Sequence, residues 1–75
     1  HRQRSEYWVF LDGGLEVTLG SRTWQPRPGE ELFIPAETPH RLQGVGTQPA
    51  RVMELWLGSP DEDDIVRLED IYGRD

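Results

Sequence analysis

Cysteine is absent from this chain. That excludes disulfide staples and thiolate chemistry, whether nucleophilic or metal-binding. Basic residues are scarce. Eight Lys and Arg stand against fourteen Asp and Glu, for a net charge of −6. No basic stripe survives that balance, so nucleic acid is not an expected partner. Long apolar runs are also lacking. None approaches the ~20 residues of a membrane-spanning helix, and no signal-peptide pattern is present, so a cytoplasmic protein is expected, with no membrane contact. The chain opens on His1 rather than methionine, which suggests a piece of a longer protein. Its 75 residues make a single domain. A chain of this size buries only about 60% of its unfolded surface. With no disulfides, a metal or a partner chain is the expected support.

What is present reads as short strands separated by turns. Residues 6–11, EYWVFL, are aromatic and β-branched, as strands prefer. Glu6, Trp8 and Phe10 share one face of that strand. Asp12-Gly13-Gly14 is a hairpin turn. In residues 15–19, LEVTL, Leu15, Val17 and Leu19 alternate with Glu16 and Thr18. Gly20 to Arg22 turns the chain into a short strand over residues 23–25. The late strand, residues 51–57, is RVMELWL, with Val52, Glu54 and Trp56 on one face. Such a series suits a sandwich or barrel. Trp8, Phe10, Trp24 and Trp56 read as core. Over residues 58–75, Ser59-Pro60-Asp61-Glu62 has the form of a helix capping box, and Ile65, Leu68 and Tyr72 recur at helical spacing. The expectation is therefore strands over 1–57 and a short helical tail over 58–75.

The stretch with the most chemical content is residues 29–44, GEELFIPAETPHRLQG. Pro28-Gly29 turns, residues 32–34 form a short apolar strand, and Pro35 ends it because proline cannot donate to a ladder. Pro39 holds Thr38 extended and leads into His40. A histidine at the end of so stiff a loop can be aimed inward by a sheet.

These residues resemble the second motif of the cupin superfamily, Gly-x5-Pro-x-Gly-x2-His-x3-Asn. Gly29, Pro35 and His40 fall on it, with Glu37 at the middle glycine and Gly44 at the asparagine. His1, Gln3, Glu6 and Gly13 resemble the first motif, His-x-His-x3-4-Glu-x6-Gly. Two longer segments are similar to a narrower family, the type II mannose-6-phosphate isomerases, which form the C-terminal domain of bifunctional enzymes with a mannose-1-phosphate guanylyltransferase domain. HRQRSEYW resembles that family's HHHRAEHW, and EDDIVRLEDIYGR its tail EDDIxRxEDxYGR. The resemblance spans nearly the whole chain.

The resemblance implies an all-β, cupin-like double-stranded β-helix (a jelly-roll barrel), N-terminally incomplete. It implies a divalent metal ion, zinc by family, on His1, Gln3, Glu6 and His40. Arg4 and Arg41 match basic residues beside those ligands, while Gln3 and Tyr7 replace family histidines. The implied reaction is interconversion of mannose 6-phosphate and fructose 6-phosphate. Aldose–ketose isomerisation moves a proton between adjacent carbons. A cation can polarise the carbonyl, and a positioned group must carry the proton. Glu6 and Arg41 are the catalytic candidates. Arg4 and Arg41 are the candidates to hold the sugar phosphate through paired hydrogen bonds. An unpaired barrel edge is a pairing template, so a homodimer through sheet edges is expected. Two other functions compete. The replaced histidines suit a non-catalytic sugar- or metabolite-binding cupin. Two histidines and a carboxylate also suit a non-haem iron oxygenase, although the tail segment argues against it.

Overall fold

The computed structural model describes residues 4–58 and 62–73. Seven strands form: β1 (Glu6–Phe10), β2 (Leu15–Leu19), β3 (Arg22–Trp24), β4 (Glu31–Ile34), β5 (His40–Gly44), β6 (Ala50–Trp56) and β7 (Ile65–Ile71). They make two antiparallel sheets, one ordered β4-β1-β6-β7 and the other β3-β2-β5. The all-β expectation holds, and the arrangement is consistent with a cupin-like β-sandwich.

Alternation along the strands builds the interior. Trp8 and Phe10 of β1, Ile34 of β4, and Ala50 and Val52 of β6 face Leu15 and Val17 of β2, and all seven are buried. The chain crosses between sheets after β1, β3, β4 and β5, so that β1 pairs with β4 and β6 while β2 pairs with β3 and β5. The Asp12-Gly13-Gly14 turn makes the first switch, with Gly14 at φ 88°, a conformation natural to glycine. Asp12 closes that turn against β6. Its carboxylate accepts from the Arg51 backbone N–H at 2.8 Å and from the guanidinium at 2.8 and 3.0 Å. These contacts hold the carboxyl down at about 2.

The expected helical tail is a strand instead. β7 pairs with β6 over seven residues, from Ala50↔Ile71 to Trp56↔Ile65. Ile65, Arg67, Glu69 and Ile71 share the inner face, and Val66, Leu68 and Asp70 the outer. A helix would have put Val66 among its polar residues and left β6 with an unpaired edge. The β-branched Ile65, Val66 and Ile71 suit a ladder better than a helix. The acidic run satisfies loop partners. Asp64 accepts from the Gly58 N–H at 2.8 Å, and Glu62 accepts from Arg4 at 2.9 Å. Residues 59–61, which carry most of the supposed capping box, lie outside the described residues.

Candidate functional site

One end of the sandwich interior is polar. Glu6 begins β1 and His40 begins β5, one from each sheet, and both point inward. Glu6 shares the face of Trp8 and Phe10. His40 shares the face of Leu42 and Gly44, and pairs across the ladder with Leu19. The Pro35–Pro39 loop delivers the histidine. Within it Glu37 takes a left-handed φ of 64°, at the position where the motif has glycine.

The His40 ring is fixed on two sides. Nδ1 lies 3.0 Å from the carbonyl oxygen of Thr38. A carbonyl can only accept, so Nδ1 is the donor, and in the neutral ring Nε2 carries the lone pair. The ring also stands edge-on to Trp8, with centroids 5.6 Å apart. Glu6 is oriented by the same tryptophan, whose indole N–H donates to Oε1 at 2.8 Å. Its other oxygen, Oε2, lies 3.9 Å from His40 Nε2. Their side chains are 17% and 32% exposed, so the pair is sheltered yet reachable. An imidazole lone pair and a carboxylate oxygen thus converge, each held by a second hydrogen bond. Metal-binding histidines are commonly oriented in this way.

Ordinary Zn–N and Zn–O distances are about 2.0–2.2 Å. A separation of 3.9 Å between the two atoms lets one ion reach both with a small adjustment. The donor chemistry therefore fits a divalent cation in part. Two of the four expected ligands, His1 and Gln3, lie outside the described residues. Among the described residues, no three His, Cys, Asp or Glu side chains gather into a metal-holding group.

The arginines divide. Arg41 falls on the opposite face of β5 from His40, opposite Thr18, and donates to Gln43 at 3.1 Å. It was expected beside the pair and is placed away from it. Arg4 does reach this end of the molecule, paired with Glu62 and 5.9 Å from the Trp56 ring centre. Arg67 of β7, which the sequence reading passed over, lies 5.0 Å from the same ring centre. The helical reading of the tail concealed it. Tyr7 faces outward, and its hydroxyl donates to Glu31. The histidine it replaces would therefore not have pointed toward Glu6 and His40.

Glu54 is the second residue that was missed. It is a strand residue on the Trp56 face, only 5% exposed. Trp56 donates to its Oε1 at 3.0 Å. Burial raises its pKa, and a hydrogen bond with Glu69 raises it further, to about 7. The charge of Glu6 pushes in the same direction. The signal was visible in the sequence as an acid on the same strand face as Val52 and Trp56.

This shift carries a stability prediction. The folded chain holds the Glu54 proton more tightly than the unfolded chain does. The favourable contribution is complete below 4.5 and is lost as pH rises through about 7. Glu54→Gln keeps an acceptor for Trp56 and offers an N–H to Glu69 without an ionisable proton. We expect this variant to exceed the parent in stability above neutral pH by up to roughly 3 kcal/mol. Equal urea midpoints on the alkaline side would contradict the assignment.

Comparison with known proteins places the chain in a family. Residues 1–70 match the family model described as mannose-6-phosphate isomerase C-terminal. The chain is 39% identical over 75 residues to the alginate biosynthesis protein AlgA of Pseudomonas aeruginosa. It is 40% identical over 75 residues to the xanthan biosynthesis protein XanB of Xanthomonas campestris. Each match covers 99% of this chain and 16% of the relative. The mannose-1-phosphate guanylyltransferase RfbM of Salmonella typhimurium is 39% identical over 74 residues, covering 97% of this chain and 15% of the relative. The chain therefore spans about one sixth of the length of these relatives. No solved structure matches.

Proposed function

The chain belongs to the mannose-6-phosphate isomerase C-terminal family, and from that premise we propose that its polar end is a metal-assisted isomerase site for a sugar phosphate. The observation that carries this reading is the approach of Glu6 Oε2 to His40 Nε2 at 3.9 Å from opposite sheets. Those two residues would hold the divalent ion, with His1 and Gln3 as the remaining ligand candidates. The ion would supply carbonyl polarisation.

The protein's own residues supply the rest. Trp8 holds both Glu6 and His40 in place. Arg4 and Arg67, which flank Trp56, are the cations positioned to receive a phosphate by charge-assisted hydrogen bonds. Arg41 is not used for this. Glu54 holds a proton near neutrality behind Glu6, in the range where a group can both give and take one. Glu6 cannot be both ligand and proton carrier at once, which leaves Glu54 for the second task.

The test is a coupled assay for conversion of mannose 6-phosphate to fructose 6-phosphate. Activity that is lost to a chelator and regained with added zinc or cobalt is expected. No turnover with any divalent metal would refute the reading. A non-catalytic sugar-phosphate-binding domain is the second reading. It is favoured by the small number of acidic and histidine donors gathered among the described residues. Binding of mannose 6-phosphate without turnover would select it.

A further inference from the structure

The outer faces of the two sheets differ in chemistry. On the three-stranded sheet, Glu16, Thr18, Thr23, Arg41 and Gln43 face outward, as expected of a solvated face. On the four-stranded sheet the register sets Phe33, Tyr7, Leu55 and Val66 in one row across all four strands. The next row holds Glu31, Val9, Met53 and Leu68. Glu31 is the one charge in the two rows. Val66 and Leu68 are 66% and 64% exposed, and Phe33 and Met53 are 51% and 40% exposed. Contiguous apolar surface of this kind marks an interaction site rather than scattered exposure.

We propose that this face packs, sheet against sheet, on the same face of a second copy of the chain. The face is self-complementary. A two-fold axis parallel to the strands, between β1 and β6, lays β1 over the second copy's β6 and β4 over its β7. Phe33 then meets Val66, Tyr7 meets Leu55, and Val9 meets Met53. Glu31 meets Leu68 at a corner, where its carboxylate already accepts the Tyr7 hydroxyl. The cross-strand pair Arg51 and Asp70 falls at the rim, leaving an apolar centre and a polar border.

Size sets the strength. Four strands at ~4.8 Å spacing and about 20 Å of length give roughly 400 Å² in projection. Side-chain relief carries the accessible area toward the ~600 Å² per partner at the small end of specific interfaces. The dimer is therefore concentration-dependent. It also differs from edge-to-edge pairing, because β1 and β6 at its centre already have partners on both sides.

Sedimentation velocity from micromolar to millimolar chain tests this. The parent is expected to pass from monomer to dimer. Met53→Lys, in the central strand β6, is expected to remain monomeric with an unchanged far-ultraviolet circular dichroism spectrum. Leu68→Lys, at a position already exposed, is expected to do the same without disturbing the core. A parent that stays monomeric overturns the proposal and leaves the face to another segment of a longer polypeptide. Dimers that persist in both variants overturn it in favour of edge pairing.

Discussion

On the proposed isomerase function, His40→Ala is expected to lower turnover of mannose 6-phosphate by about 10²-fold or more, because carbonyl polarisation by a metal is worth several kcal/mol. The ring contributes the only imidazole among the described residues, and its Nε2 faces Glu6 across 3.9 Å. Alanine removes that donor and also the edge-on contact with Trp8. The stability cost is expected to be small, because the side chain is one third exposed. Loss of activity with an intact melting transition therefore separates chemistry from folding. Arg41→Ala is the matched control. It is the next residue in the same strand, on the other face, and its removal is expected to leave turnover within about twofold, in line with the usual small effect of surface substitutions. Equal losses in the two variants would show that the strand, and not the inward face, matters.

Gly44→Ala is expected to cause a large loss of stability. Gly44 is buried at the end of β5, where it bridges to Gly73 just past β7. A Cβ there would lie 2.7 Å from the carbonyl carbon and oxygen of Tyr72 and 2.8 Å from the Gly73 nitrogen. These are backbone atoms and cannot rotate away. Either the end of β7 must lift or β5 must shift against Leu15. The cost is expected to reach or exceed the ~3 kcal/mol upper end of ordinary overpacking. A chain of this length has only about 4–11 kcal/mol to lose. Urea denaturation measures this directly. Gly13→Ala is the comparison, since a Cβ at Gly13 meets nothing within 4 Å. Similar midpoints for the two variants would show that the Tyr72–Gly73 crossing is not held closely against β5.

Much of this architecture can be read from alternation alone. The pattern in residues 15–19 matches β2 residue for residue, and the turns at Asp12-Gly13-Gly14 and Pro28-Gly29 lie between the strands as expected. Glu6 could be placed on the Trp8 face because period-two geometry allows little else. The tail could not be read in the same way. Its helical signals are local, whereas the edge of β6 that captures it is a tertiary feature no short window contains. That error hid Arg67 and Glu69, which reach the polar end only when the tail is a strand. Arg41 failed for a simpler reason. Proximity in sequence to His40 suggested proximity in space, but adjacent strand residues face opposite ways. The elevated pKa of Glu54 depends on burial between β1 and β7, and its position in the sequence shows only that it shares a face with Trp56.

The central claim is that one imidazole and one carboxylate from opposite sheets hold a single ion, and cobalt(II) titration reads it most directly. Calorimetry and visible absorption should show one ion bound per chain in the parent. Both Glu6→Gln and His40→Ala should weaken binding beyond the ~10–100-fold typical of losing an outer-shell contact. A parent that binds no cobalt, or variants that bind it as tightly as the parent, would contradict the account.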